Sequence, residues 1–142
     1  MRLALILLFS TTLFISCDKQ SKQAVPGIPY VPVNQKVNIN DPKYQSLQNI
    51  GGWAYVVGGS RGIILYREST ESFKAYERQC TYDPIQVCST LDMDAAVLQA
   101  NDYDCCGSVF NILNGGISQG PASKALLQYQ TSFDGTTVTI TN

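Results

Sequence analysis

From residue 36 onward the chain alternates between apolar and polar side chains. Val37 and Ile39 are flanked by Lys36, Asn38 and Asn40, and Val138 and Ile140 by Thr137, Thr139 and Thr141. An apolar residue at every second position turns one face of a strand to a core and the other to water. Trp53, Tyr55 and Val57 share one side of another strand, Gly62 to Arg67 is a short apolar run, and Phe73 to Arg78 is a mixed one. Asp134-Gly135 separates Leu127–Phe133 from the last strand, and Asp-Gly suits the left-handed backbone of a tight hairpin turn. Asn114-Gly115-Gly116 marks a further turn, and Gly51-Gly52 and Gly58-Gly59 read the same way. Helical periodicity is weak, with room for about one turn between Pro42 and Ile50. Many short strands with glycine-rich turns predict an all-β domain, a small antiparallel sandwich or barrel.

The first 35 residues follow another pattern. Basic Arg2, apolar Leu3 to Phe9 and Leu13 to Ile15, and small Ser16 are the parts of a cleavable secretory signal. They are too few to cross a bilayer as a helix, which takes ~20 apolar residues. Residues 18 to 35 are polar, with Pro26, Pro29 and Pro32 at every third position, a composition that favours extended polyproline II. At ~3.1 Å per residue such a tether reaches roughly 50 Å. The expected organisation is therefore a signal peptide at 1–16, a tether at 17–35 and one β domain at 36–142. The run Leu13-Phe14-Ile15-Ser16-Cys17 resembles a bacterial lipobox. That resemblance implies that Cys17 carries lipid as the first residue of the mature chain. It implies a place in the bacterial cell envelope, with the outer membrane preferred.

Removal of sixteen residues would leave 126, with nine basic and eleven acidic side chains. So even a balance argues against nucleic acid as a partner and leaves the lipid on Cys17 as the membrane contact. An envelope protein partner is open but unspecified. The chain has no histidine, which removes Ser-His-Asp and Cys-His catalysis, most catalytic zinc sites and ordinary haem ligation. The paired glycines open no helix after a strand, so they form no nucleotide-binding loop. No enzyme activity is readable.

Beyond Cys17 stand Cys80, Cys88, Cys105 and Cys106. An even number in an exported chain predicts two disulfides, with three possible pairings. A bond between the adjacent Cys105 and Cys106 is strained, so each is expected to pair with Cys80 or Cys88. No lysine or arginine lies between Arg78 and Lys124, whereas Asp83, Asp92, Asp94, Asp102 and Asp104 do. An acidic setting disfavours a reactive thiolate, so structural crosslinks are expected rather than catalytic ones. The aspartates lack the twelve-residue loop of a calcium site and are expected in solvated turns. A four-cysteine metal site lacks any C-x-x-C pair.

The segment Tyr103-Asp104-Cys105-Cys106-Gly107-Ser108-Val109-Phe110 is similar to the second cluster loop of Rieske iron–sulfur domains, C-P-x-H-G-S-x-F. Upstream, Cys80-Thr81-Tyr82 looks like the first loop, C-T-H, and Gly120-Pro121-Ala122 matches the proline loop that covers the cluster. The resemblance spans roughly residues 35 to 142. It implies a Rieske-like fold with a cluster-binding-type subdomain over residues 80 to 122. It also places the four cluster-ligand positions at Cys80, Tyr82, Tyr103 and Cys106. Such a cluster takes two thiolates and two imidazoles, and only Cys80 keeps its type. The resemblance thus implies a degenerate site, with no cofactor expected. It assigns Cys88–Cys105 as the disulfide between the loops and leaves Cys80–Cys106 as a second disulfide in the vacated site. Tyr82 and Tyr103 are then expected to fill that space with their hydroxyls bonded, and Ser108 to cap the turn. The function implied is a non-catalytic structural or interaction module. The alternative is an electron-transfer protein with an atypical 2Fe-2S cluster or other metal centre through Cys80 and Cys106.

Overall fold

The computed structural model describes residues 25–142. The predicted signal peptide, the predicted lipidation site Cys17 and the first part of the predicted tether lie outside the described residues. Ten strands follow in chain order: β1 (Asn34–Asn38), β2 (Trp53–Val56), β3 (Ile63–Arg67), β4 (Phe73–Glu77), β5 (Asp92–Asp94), β6 (Gln99–Asn101), β7 (Val109–Asn111), β8 (Ile117–Gln119), β9 (Gln128–Phe133) and β10 (Thr137–Thr141). A short 3-10 segment, Pro42–Gln48, joins β1 to β2. Asp41 caps it by accepting from the Lys43 N–H at 2.9 Å.

Six strands form an antiparallel sheet in the order β1-β10-β9-β4-β3-β2. The alternation at both chain ends sets its register, because Val37 stands opposite Val138 and each turns the same way into the core. That core holds Val33, Val37, Ile39, Leu47, Val56, Ile63, Leu65, Phe73, Ala75, Tyr129, Val138 and Ile140. The Asp134-Gly135 turn joins β9 and β10 as expected, with Asp134 Oδ1 accepting from the N–H groups of Thr136 and Thr137. Those two donors hold the Asp134 carboxyl below its usual range.

The chain between β4 and β9 builds a second, four-stranded antiparallel sheet, β5-β6-β7-β8. It packs on the opposite face of β3 and β4. Ile64, Tyr66 and Tyr76 there meet Cys80, Leu91, Ala100, Phe110, Ile112, Ala122 and Leu126 in a separate core. The continuous apolar run of β3 is thereby explained: Ile63 and Leu65 face one core, Ile64 and Tyr66 the other. The same division splits β2. Ala54 and Val56 enter the first core, whereas Trp53 and Tyr55 pack half-buried against the second and Val57 is exposed. The all-β, small antiparallel sandwich expected from the sequence is what the chain forms, with the subdomain attached to one face. No helix among the described residues is long and apolar enough to cross a membrane.

Candidate functional site

The site is built where the subdomain meets the sheet. Cys80 lies just beyond β4 and is fully buried; its N–H donates to the carbonyl of Ser89 at 3.3 Å, closing the first loop on itself. Arg61, on the turn between β2 and β3, fastens that loop from outside. Its guanidinium donates to the carbonyls of Pro84, Gln86 and Val87 and to Thr90 Oγ1. Thr81 Oγ1 donates to the carbonyl of Lys124 at 2.6 Å and ties the loop to the chain after the proline loop.

The second loop turns around Asp102. Its carbonyl accepts from the N–H groups of Cys105, Cys106 and Gly107 at 3.2, 3.1 and 2.8 Å, and its own N–H donates to the carbonyl of Ser108 at 2.9 Å. Gly107 completes the turn at φ 75°, a left-handed conformation that costs a residue with a Cβ. The backbone thus fixes Cys106 beside Cys80. A disulfide joins Cys88 and Cys105, as the resemblance implied, and holds the two loops together. The proline loop closes the third side. Gly120–Pro121 is a cis peptide, Ala122 is buried, and the Ala122 N–H donates to Ser108 Oγ at 3.0 Å. Buried Ser108 is thus a strut between the second loop and the proline loop, more than the turn cap expected.

Three expectations are corrected here. Cys80 and Cys106 are free thiols with sulfurs 3.5 Å apart, well outside the ~2.05 Å of a disulfide bond, and Cys106 Sγ lies against Asp102 Oδ2 and Ser108 Oγ instead. Tyr82 and Tyr103 do not fill the space between the loops. They are 53% and 65% exposed, Tyr82 in a bend after Cys80 and Tyr103 in the turn that precedes Cys105 and Cys106. Asp102 is not in a solvated turn but 2% exposed, its side chain directed at the thiols as the hub of the second loop.

Asp102 is also the residue that sequence reasoning missed. Cys80 Sγ, Cys106 Sγ and a carboxylate oxygen of Asp102 all lie within 4.8 Å of one another. The Cys106 thiol is 3.2 Å from Asp102 Oδ2 and 3.0 Å from Ser108 Oγ, and its single S–H serves one of them at a time. Asp102 Oδ1 is buried with no hydrogen-bond partner. Burial pushes the Cys80 thiol up to about 12, reinforced by Asp102 and Cys106 and opposed only by the Tyr82 N–H. Such a thiol is a poor nucleophile at neutral pH. The sequence offers only a weak signal, two aspartates, Asp102 and Asp104, ahead of Cys105-Cys106-Gly107-Ser108 in a stretch with no basic residue, and nothing local separates the buried one from the other.

The residues do not fit a Rieske cluster. Two of its four ligands are imidazoles, and this chain has none. The two remaining ligand positions, Tyr82 and Tyr103, face outward, so the site offers two thiols and one carboxylate where four donors on two irons are needed.

No protein-family model matches the chain, and no curated protein sequence does. Solved structures do. The plasma membrane Rieske protein PetC3 from Synechocystis PCC 6803 superimposes with a TM-score of 0.56 at 18% identity, over 80% of this chain and 100% of its own. The ferredoxin of carbazole 1,9a-dioxygenase from Nocardioides aromaticivorans IC177 gives 0.51 at 15% identity, over 79% and 98%. Two loops crosslinked by a disulfide, a proline loop closing over them and a six-stranded sheet beneath give the domain the Rieske fold.

Proposed function

We propose that this chain is a lipid-anchored protein of the bacterial envelope whose exported domain keeps the Rieske fold without the Rieske cluster. It serves there as a non-catalytic structural or interaction module. The observation that carries this reading is the state of the ligand positions. The fold around them is intact, with both loops, the crosslink and the proline loop in place, while histidine is absent and both tyrosines point to solvent. The scaffold has been retained for something other than the family's electron transfer. Exposed Tyr82, Ile85, Val87 and Tyr103 on the two loops give that end of the domain an apolar, aromatic character suited to contact with a partner.

The lipobox-like run supports an anchor at Cys17, with the spacer confined to the residues before Val25. The proline-bearing segment expected to extend as a tether lies back on the domain: Val25 and Val33 are buried, and Asn142 bonds the Val33 N–H and the Val31 carbonyl. The test is the full chain expressed in a Gram-negative host. It should incorporate labelled palmitate and partition with membranes, and Cys17→Ser should abolish both. Purified in detergent, it should be colourless and free of stoichiometric iron. Iron with a visible iron–sulfur absorption band would sink the non-cluster reading, and an unlabelled, soluble wild-type chain would sink the anchor.

A further inference from the structure

Cys80, Asp102 and Cys106 form the one group of metal-ligating side chains that the described residues bring within a single coordination sphere. We propose that they bind a single zinc ion through two thiolates and one carboxylate oxygen, at the place where the fold elsewhere carries its cluster. The proposal rests on the reading that this domain does not hold an iron–sulfur cluster, and it names the ligand of the same site.

Geometry is the first argument. Tetrahedral zinc with Zn–S bonds of ~2.3 Å sets two ligating sulfurs about 3.8 Å apart, and a sulfur and a carboxylate oxygen about 3.5 Å apart. The observed separations are 3.5 Å for Cys80 Sγ to Cys106 Sγ and 3.2 Å for Cys106 Sγ to Asp102 Oδ2. Shifts of a few tenths of an ångström convert one arrangement to the other.

The second argument is the carboxylate. Asp102 is buried, and one of its oxygens has no partner, an arrangement that is costly unless something positive is supplied. The protein supplies nothing of the kind. The two ion pairs among the described residues join Lys74 to Glu68 and Arg78 to Asp92, and no basic residue occurs between Arg78 and Lys124. A divalent cation held by Asp102 Oδ2 and the two thiolates brings positive charge beside that buried carboxylate and offsets two of the three negative charges of the ligand set.

The donor set selects the metal class. Two thiolates favour a borderline or soft ion over magnesium or calcium, and a carboxylate with them suits zinc. Ser108, whose Oγ and N–H both lie against Cys106 Sγ, orients that ligand as supporting residues do in zinc sites. Cys106 is half-buried, so the open side of the site faces solvent, and a fourth position falls to water.

The test uses the full-length lipidated chain, purified in detergent without chelator or reductant, with zinc and iron measured by mass spectrometry. One equivalent of zinc and no iron is expected, and cobalt substitution should give the intense visible bands of tetrahedral thiolate coordination. In competition with a chromophoric chelator, Asp102→Asn should weaken zinc by at least about 100-fold, and Ser108→Ala by about 10-fold. Circular dichroism on each variant separates lost binding from lost folding. A zinc-free, colourless protein that takes up neither ion overturns this inference and leaves the non-cluster reading standing. Stoichiometric iron with cluster absorption overturns both. Zinc binding unchanged in Asp102→Asn and Cys106→Ser, or a Cys80–Cys106 disulfide that forms quantitatively and bars zinc, also overturns the assignment.

Discussion

Glu77 is a charged residue at 0% exposure on a central strand, and its carboxylate is fully used. Oε1 accepts from the N–H groups of Arg61 and Gln79, and Oε2 from the Ser60 N–H and the Tyr129 hydroxyl. A Cβ at Gly59 would stand 2.4 Å from Oε2 and 2.5 Å from the Tyr129 oxygen, so the turn approaches the carboxylate as only glycine allows. With every partner a donor, Glu77→Gln turns one of its own N–H groups against a donor. It should cost about 2–4 kcal/mol in urea unfolding at unchanged m value. Tyr129→Phe should cost about 1–2 kcal/mol, whereas Tyr76→Phe should be close to neutral because the buried Tyr76 hydroxyl has no partner. The two phenols share a pH signature. Burial raises Tyr76 to about 12 and raises Tyr129 as well, with Glu77 adding to the latter. An unfolded tyrosine ionises near 10, so their contribution is intact below about pH 10. It falls as pH rises from there toward 12, while the unfolded chain loses protons that the native one keeps. Urea midpoints between pH 8 and 12 should show that decline, and Tyr76→Phe should lessen it. None of these roles is legible in the sequence. Phe73 to Arg78 reads as a mixed strand, and Asp102 looks like Asp104, because burial there is decided by which backbone groups surround a side chain. Local pattern carries no trace of that.

At the level of elements, the sequence was most legible where one face of a strand meets water. The alternations at Val37 and Ile39 and at Val138 and Ile140 marked β1 and β10, and Asp134-Gly135 located the hairpin. Strands packed on both faces were harder to read. The tripeptide strands β5 to β8 are too short for any period to register. What held that region in view was the loop motif, which paired Cys88 with Cys105 but could not say that the tyrosines turn outward. The disulfide encloses a separation of 17 residues, so replacing both cysteines by serine should cost about 3 kcal/mol. The loss should be confined in effect. Hydrogen exchange should quicken across residues 81–90 and 102–108, while β1, β3, β4, β9 and β10 keep their protection. Arg61 works beside the crosslink. Its fork reaches three carbonyls at once, so Arg61→Lys, with a single ammonium, should loosen the same loop without touching the first core.

The whole molecule is two cores set back to back on β3 and β4. Leu65 serves one and Ile64, its neighbour in sequence, the other. Leu65→Ala and Ile64→Ala should each cost about 2–5 kcal/mol. Each should lower the same single thermal transition, since neither core keeps its wall when the shared strands come apart. Two separate transitions, one per variant, would show that the subdomain melts by itself. The point of attachment has a consequence for what such a molecule can become. The chain leaves the large sheet at Glu77 and rejoins it at Leu127, and there the Glu77 N–H meets the Leu127 carbonyl at 2.8 Å. Departure and return are neighbours, so the sheet closes the same way whatever is strung between them. The roughly fifty intervening residues behave as a cassette, free to exchange one chemistry for another while the frame stays in register. A segment bearing histidines, inserted between these two positions, is the shortest route by which this frame would be given iron.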